Sequence, residues 1–155
     1  MRIIEPRTNH STPQSLNPSI TKDLVPLAFS TVGLGVLLGT AIMTGFLLVN
    51  RALVQQLPSS ATPDANQPAA TALIVGAMGT LIVPVLTSWA LLSPIDSAYR
   101  RGGLSMVSGF GAILVSLISV PLNEAFGVAG LVGLLTAALV GCLLLSRKVM
   151  RERTA

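Results

Sequence analysis

The stretch AFGVAGLVGLLTAALVGCLLL, residues 125–145, is an apolar run without a single charged residue. Three further runs, 24–49, 69–92 and 104–122, are equally free of charge. An α-helix needs roughly 20 residues to cross about 30 Å of hydrocarbon, and each run has about that length or more. Because backbone groups in lipid must form hydrogen bonds within their own segment, the runs predict an all-α integral membrane protein with four transmembrane helices.

The composition supports this class and limits what can fold outside the membrane. Hydrophobic residues make up 51% of the chain and charged residues 10%, with a mean hydropathy of +0.73, which is too apolar for an ordinary soluble domain. We expect a polar tail over residues 1–23 and a single transmembrane domain over 24–155. The segments between the runs are shorter than the ~40 residues that a domain usually needs to fold unaided.

Basic residues are distributed unevenly between the two sides of the predicted bundle. Of the ten Lys and Arg residues, only Arg51 falls on the side of the 50–68 loop, which leaves nine on the side of the termini. These nine are Arg2, Arg7, Lys22, Arg100, Arg101, Arg147, Lys148, Arg151 and Arg153. Cytoplasmic flanks carry the excess of Lys and Arg, so both termini are predicted to be cytoplasmic, in a bacterial inner or intracytoplasmic membrane.

Two basic groups are placed to meet lipid headgroups or a partner protein. In SPIDSAYRRGG, residues 93–103, a short interfacial helix capped by Ser93 and ended by Gly102 and Gly103 would hold Tyr99, Arg100 and Arg101 at headgroup depth. Arg147 and Lys148 follow the fourth span in the same way. No long basic run is interleaved with aromatic residues, so nucleic acid is not a predicted partner.

Small residues recur at helical spacing in every span and predict close helix packing. In the fourth span, Ala129, Gly133, Ala137 and Gly141 follow one another at every fourth position. The other spans contribute Gly35, Gly39, Gly76 and Gly109. Small residues allow helix backbones to approach closely in lipid, either within the bundle or against another chain.

The connection between the third and fourth spans is very short. Pro121 ends one span and the few polar residues of PLNEAFG, 121–127, precede the other. The sequence therefore predicts a tight antiparallel hairpin of helices three and four.

The spans lack the residues that usually carry chemistry. Asp23, Asp96 and Glu124 lie at span ends rather than inside spans, where ionisable residues mark proton and ion pathways. One histidine, His10, and one cysteine, Cys142, cannot by themselves build a metal or disulfide site, and no catalytic motif is recognisable. We expect no enzyme activity, no metal site and no cofactor held by this chain alone, although contact with pigments, quinone or lipid supplied by partners stays open.

Two functions fit these features. The first is a non-catalytic accessory or structural subunit of a larger membrane complex, such as a photosynthetic or respiratory assembly, with other integral membrane subunits and lipids as partners. The alternative is a small homo-oligomeric transporter or channel. Its pathway would be lined by the hydroxyl groups of Thr31, Thr40, Thr44, Ser105, Ser108, Ser116 and Ser119.

Overall fold

Four helices form the protein in a computed structural model that describes residues 18–56, 67–95 and 97–154. They are α1 (Pro18–Gln55), α2 (Gln67–Leu91), α3 (Ala98–Ser116) and α4 (Ser119–Thr154). The described part of the chain is otherwise limited to short turns and contains no β-strand. The predicted all-helical architecture is confirmed.

Helices α1 and α4 extend beyond the uncharged runs that predicted them, whereas the predicted third span, 104–122, is divided between α3, which ends at Ser116, and α4, which begins at Ser119. Helix α1 begins at Pro18, within the predicted 1–23 tail, and ends at Gln55 rather than at 49. Proline suits the first position of a helix because the N–H it lacks would have no partner there. Uncharged runs mark where a helix is surrounded by lipid, whereas polar residues can continue the same helix outside it. Residues 1–17 lie outside the described part.

The loop between α2 and α3 differs from the prediction. The prediction of a separate interfacial helix ended by Gly102 and Gly103 is wrong, because both glycines lie within α3. Ser97, not Ser93, caps the helix, and its hydroxyl accepts a hydrogen bond from the Arg100 N–H at 3.5 Å. Packing of α3 against α1 and α2 offsets the roughly 1 kcal/mol that an interior glycine costs a helix. Asp96 lies outside the described residues.

The predicted hairpin of helices three and four is also wrong. Helix α3 packs against α1 and α2, α4 packs against α1, and α3 and α4 barely contact each other. The reason is a backbone break at Gly127 (φ 58°, ψ −138°), which divides α4 into the pieces 119–126 and 128–154. The first piece leads the chain away from α3, so the second reaches a separate position on α1.

Helix α1 is the central element, and α2 runs antiparallel to it. At one end the Asn50 side-chain amide donates to the Ala69 carbonyl at 2.7 Å, while at the other Gly35 lies against Ser88. Helix α3 runs parallel to α1, since Gly35 also lies against Ser108 and Gly39 against Ala112.

Helix α4 is antiparallel to α1. Leu145 lies beside Gly33, and Leu37 lies beside Gly141. Successive helices therefore alternate in direction, and the second half of α2, the start of α3 and the end of α4 all lie beside the first half of α1.

The side chains are arranged for lipid rather than water. Where burial is described, the buried polar residues are all hydroxyl-bearing: Ser30, Thr31, Thr40, Thr44, Thr80, Ser88, Ser105, Ser108, Ser116 and Ser119. Large apolar side chains point outward instead, such as Phe29 (76% exposed) and Leu114 (66% exposed). Without water outside, large apolar groups gain little from burial, and small polar groups gain interhelical contact.

Among the described residues, three helices are long and apolar enough to cross a membrane: Val25–Gln55, Gln67–Leu91 and Ser119–Glu152. Helix α3 is less apolar because Arg100 and Arg101 occupy its start and glycine and serine recur along it. The protein is a helical membrane protein in contact with lipid.

Candidate functional site

Two glycines of α1 each lie in very close contact with two neighbouring helices. A Cβ at Gly39 would overlap the Cβ of Ala112 and lie 2.8 Å from Pro84 Cγ. At Gly35 it would lie 2.7 Å from Ser88 Oγ and 2.9 Å from Ser108 Oγ. Helices α1, α2 and α3 therefore meet at backbone distance along this line, which we call the glycine seam.

The predicted glycines of α2 and α3 lie in similar contacts. A Cβ at Gly76 would lie 2.6 Å from the Phe46 Cβ on α1. At Gly109 it would lie 2.6 Å from Val85 Cγ2 and 3.1 Å from the carbonyl oxygen of Leu81, both on α2.

A serine pair joins α2 to α3 beside the seam. Ser88 Oγ donates to Ser108 Oγ at 2.8 Å, and the Ser108 hydroxyl has the carbonyl oxygens of Ser105 (2.8 Å) and Pro84 (3.1 Å) within hydrogen-bonding distance. A hydroxyl has one proton to donate, so Ser108 accepts from Ser88 while donating to one of these carbonyls. The pair thereby fixes the register of the two helices.

Most other interior hydroxyls bond within their own helix. Thr44 donates to the Thr40 carbonyl at 2.8 Å, Thr80 to Gly76 at 2.7 Å, and Ser116 to Ala112 at 2.6 Å. Such back-bonding satisfies the hydroxyl in a dry environment. Within the described residues, the buried Thr31 hydroxyl has no hydrogen-bond partner.

The small residues of α4 lie in two different environments. A Cβ at Gly141 would lie 2.7 Å from Leu37 Cδ1, so this position packs against α1. Around Gly133, a Cβ would have no neighbouring atom within 4 Å. Ala129 and Ala137 are exposed as well. We call Ala129, Gly133 and Ala137 the outer ridge.

Helix α4 meets α1 through a different set of residues. Leu131, Ala138 and Val149 are the buried hydrophobic residues of α4, at 1%, 2% and 1% exposure. The outer ridge is therefore left on the surface of the single chain.

One end of the bundle carries most of the described basic side chains. The Arg101 guanidinium lies 4.5 Å from the centre of the Trp89 ring, and its Nε donates to the Trp89 carbonyl at 2.6 Å. Arg101 is thus held within the chain, whereas Arg100 and Tyr99 are exposed, Tyr99 by 92%. The other exposed basic residues here are Arg147, Lys148 and Arg151 at the end of α4, with Lys148 3.8 Å from Glu152.

Arg51 lies at the opposite end, in a pocket that the sequence did not predict. The pocket has a volume of about 430 Å³, with polar residues Asn50, Arg51, Gln55 and Asn123 on its wall. The Arg51 guanidinium donates to Asn123 Oδ1. In the sequence, Arg51 is only a basic residue after an apolar run, and its proximity to Asn123 depends on the break at Gly127.

Comparison with protein-family models, with curated proteins and with solved structures finds no match to this chain.

Proposed function

We propose that the protein is a non-catalytic accessory subunit of a larger membrane complex, and that the outer ridge of α4 packs against a helix of another subunit. The exposure of Ala129, Gly133 and Ala137 carries this proposal. Small residues in rows promote helix association in lipid, and here the row is not used by the chain's own helices.

The proposed topology has four crossings with both termini in the cytoplasm of a bacterium. The alternating helix directions favour it, because α3 returns the chain to the end where α1 stops. Arg100, Arg101, Arg147 and Lys148 then lie at the cytoplasmic end and Arg51 at the other, which agrees with the positive-inside preference. A photosynthetic or respiratory assembly is a natural setting for such a subunit.

One observation favours the alternative function of a homo-oligomeric transporter or channel. The hydroxyl residues that would line its pathway are all buried: Thr31, Thr40, Thr44, Ser105, Ser108, Ser116 and Ser119. Against it, most of these hydroxyls donate to carbonyls of their own helix and the glycine seam is tightly packed. The accessory role is therefore our first proposal.

Leucine substitutions on α4 test the accessory role. Gly133→Leu should leave the thermal stability of the purified chain unchanged and lower its recovery with partner subunits after mild detergent extraction. Gly141→Leu, the matched change on the packed side, should lower the stability of the chain itself, by about 1–3 kcal/mol for overpacking. If Gly133→Leu reduces neither quantity, the outer ridge faces lipid and the proposal fails.

A further inference from the structure

A second surface, separate from the outer ridge, has the chemistry of a ligand site. Helix α1 leaves its uncharged run at Val49 and presents Arg51 one half-turn later. The Arg51 guanidinium lies against the break in α4, where a Cβ on Gly127 would be 3.6 Å from Nη2. The end of α1 therefore contacts the bend of α4 through Arg51, Asn123 and Gly127. We call the adjoining cavity the Arg51 pocket.

The charge of Arg51 is not neutralised by the described part of the chain. Asn123 supplies a neutral oxygen, and Glu124, its neighbour, is exposed and forms no ion pair with Arg51. The ion pair of Lys148 with Glu152 lies at the other end of the bundle. A guanidinium has several N–H donors, and Asn123 engages a single one of its nitrogens.

The wall of the Arg51 pocket combines polar and apolar side chains. Asn50, Gln55 and Asn123 contribute amide groups, while Leu47, Val54 and Leu131 form the apolar part. The Asn50 amide donates to Ala69 and so ties α2 to the rim of the same pocket. A ligand that matches this surface has an anionic group attached to a hydrocarbon chain.

We propose that the Arg51 pocket binds the phosphodiester of an anionic phospholipid, with an acyl chain against Leu47, one turn toward the membrane interior. The planar guanidinium can donate two parallel hydrogen bonds to phosphate oxygens. The position of Arg51 along the membrane normal also fits a phosphate, because Arg51 follows the last residues of an apolar span and the phosphates of the bilayer lie at that depth. A headgroup with net negative charge fits better than a zwitterionic one, since an ammonium group would face an unneutralised arginine.

The test uses the purified full-length chain in phosphatidylcholine nanodiscs with increasing phosphatidylglycerol. The wild type should gain thermal stability in a saturable way as phosphatidylglycerol is added. Arg51→Gln should weaken the apparent affinity for phosphatidylglycerol roughly tenfold, equivalent to about 1.4 kcal/mol. Arg51→Lys should give an intermediate affinity, because it keeps the charge and loses the planar fork.

The matched control is Arg151→Gln, the same charge change on an exposed residue at the opposite end. It should keep the wild-type response. An unchanged response in Arg51→Gln, or an equal loss in both variants, would overturn the proposal. Should Arg51→Gln fail to fold, Asn123→Ala removes the oxygen that holds the guanidinium, and an unchanged affinity in that variant would also overturn it.

Two further experiments distinguish a phospholipid from other partners of the Arg51 guanidinium. Inorganic phosphate added in detergent should not reproduce the stabilisation, and an equal effect would assign the pocket to free phosphate instead. Asp64, in the segment 57–66 outside the described residues, is an alternative partner for the guanidinium. Asp64→Asn should respond like the wild type, and a response that appears only in Asp64→Asn would assign Arg51 to that carboxylate. The accessory role does not depend on either result, since the nanodisc experiment contains no partner subunit.

Discussion

At the scale of single residues, the presence or absence of a Cβ determines how closely the helices approach. Gly39 allows α1 to contact Ala112 of α3 and Pro84 of α2 at once. Gly45, on the same helix, has no atom within 4 Å of where its Cβ would be. Gly39 is required for close helix packing, whereas Gly45 is not. Alanine substitution at each position should therefore affect stability differently.

Gly39→Ala should destabilise the chain by about 1–3 kcal/mol, because the added methyl group forces α1 away from both neighbours. Gly45→Ala is the matched control and should leave stability unchanged or raise it by up to about 1 kcal/mol, since alanine favours the helix. Thermal or denaturant unfolding of the purified variants measures both. Equal stabilities for the two variants would contradict the close packing at the seam.

The spacing of small residues in the sequence indicates that helices pack closely, but it does not show which of these residues face a neighbouring helix. Gly35 and Gly39 form a GxxxG pattern, and both lie in the glycine seam. Ala129, Gly133, Ala137 and Gly141 form an equally regular row, yet Gly141 is the one that contacts α1 closely. In a membrane helix the packed face and the lipid-facing face are both apolar, so hydrophobic periodicity cannot distinguish them as it does in water.

At the scale of helices, one backbone conformation determines where α4 lies. The length and apolar character of the runs predicted that these helices exist. The same properties did not predict where the helices end or whether α3 and α4 pack against each other. The positive φ of Gly127 distinguishes it from the other glycines, which all adopt negative φ among the described residues. Nothing in the local sequence marks Gly127 among several glycines nearby, so a hairpin was the simplest expectation.

Gly127→Ala should destabilise the protein by about 1–3 kcal/mol, because φ 58° with ψ −138° is strained for any residue with a Cβ. The nearest atom to that Cβ, Arg51 Nη2 at 3.6 Å, is at ordinary contact distance, so the cost is conformational. The control is Gly103→Ala, inside α3 with no atom within 4 Å, which should be neutral or slightly stabilising. If both variants unfold at the same denaturant concentration, the break at Gly127 is not required.

At the scale of the whole molecule, a buried set of small and hydroxyl-bearing residues holds four helices that expose large apolar side chains. Three of these helices have the length and hydropathy of membrane spans. Helix α3 does not reach the same apolar character, although its 19 residues would extend about 28 Å at 1.5 Å per residue. Whether α3 crosses the membrane therefore determines on which side the C-terminus lies.

Cysteine accessibility around α3 tests the four-crossing topology most directly. In a Cys142→Ser background, single cysteines at 2, 60, 98, 124 and 155 would be probed with a membrane-impermeant thiol reagent in intact cells. We expect positions 60 and 124 to react and positions 2, 98 and 155 to be protected until the membrane is opened. Reaction at 60 and 155 with protection at 98 and 124 would mean that α3 does not cross the membrane, and the proposed four-helix topology would be wrong.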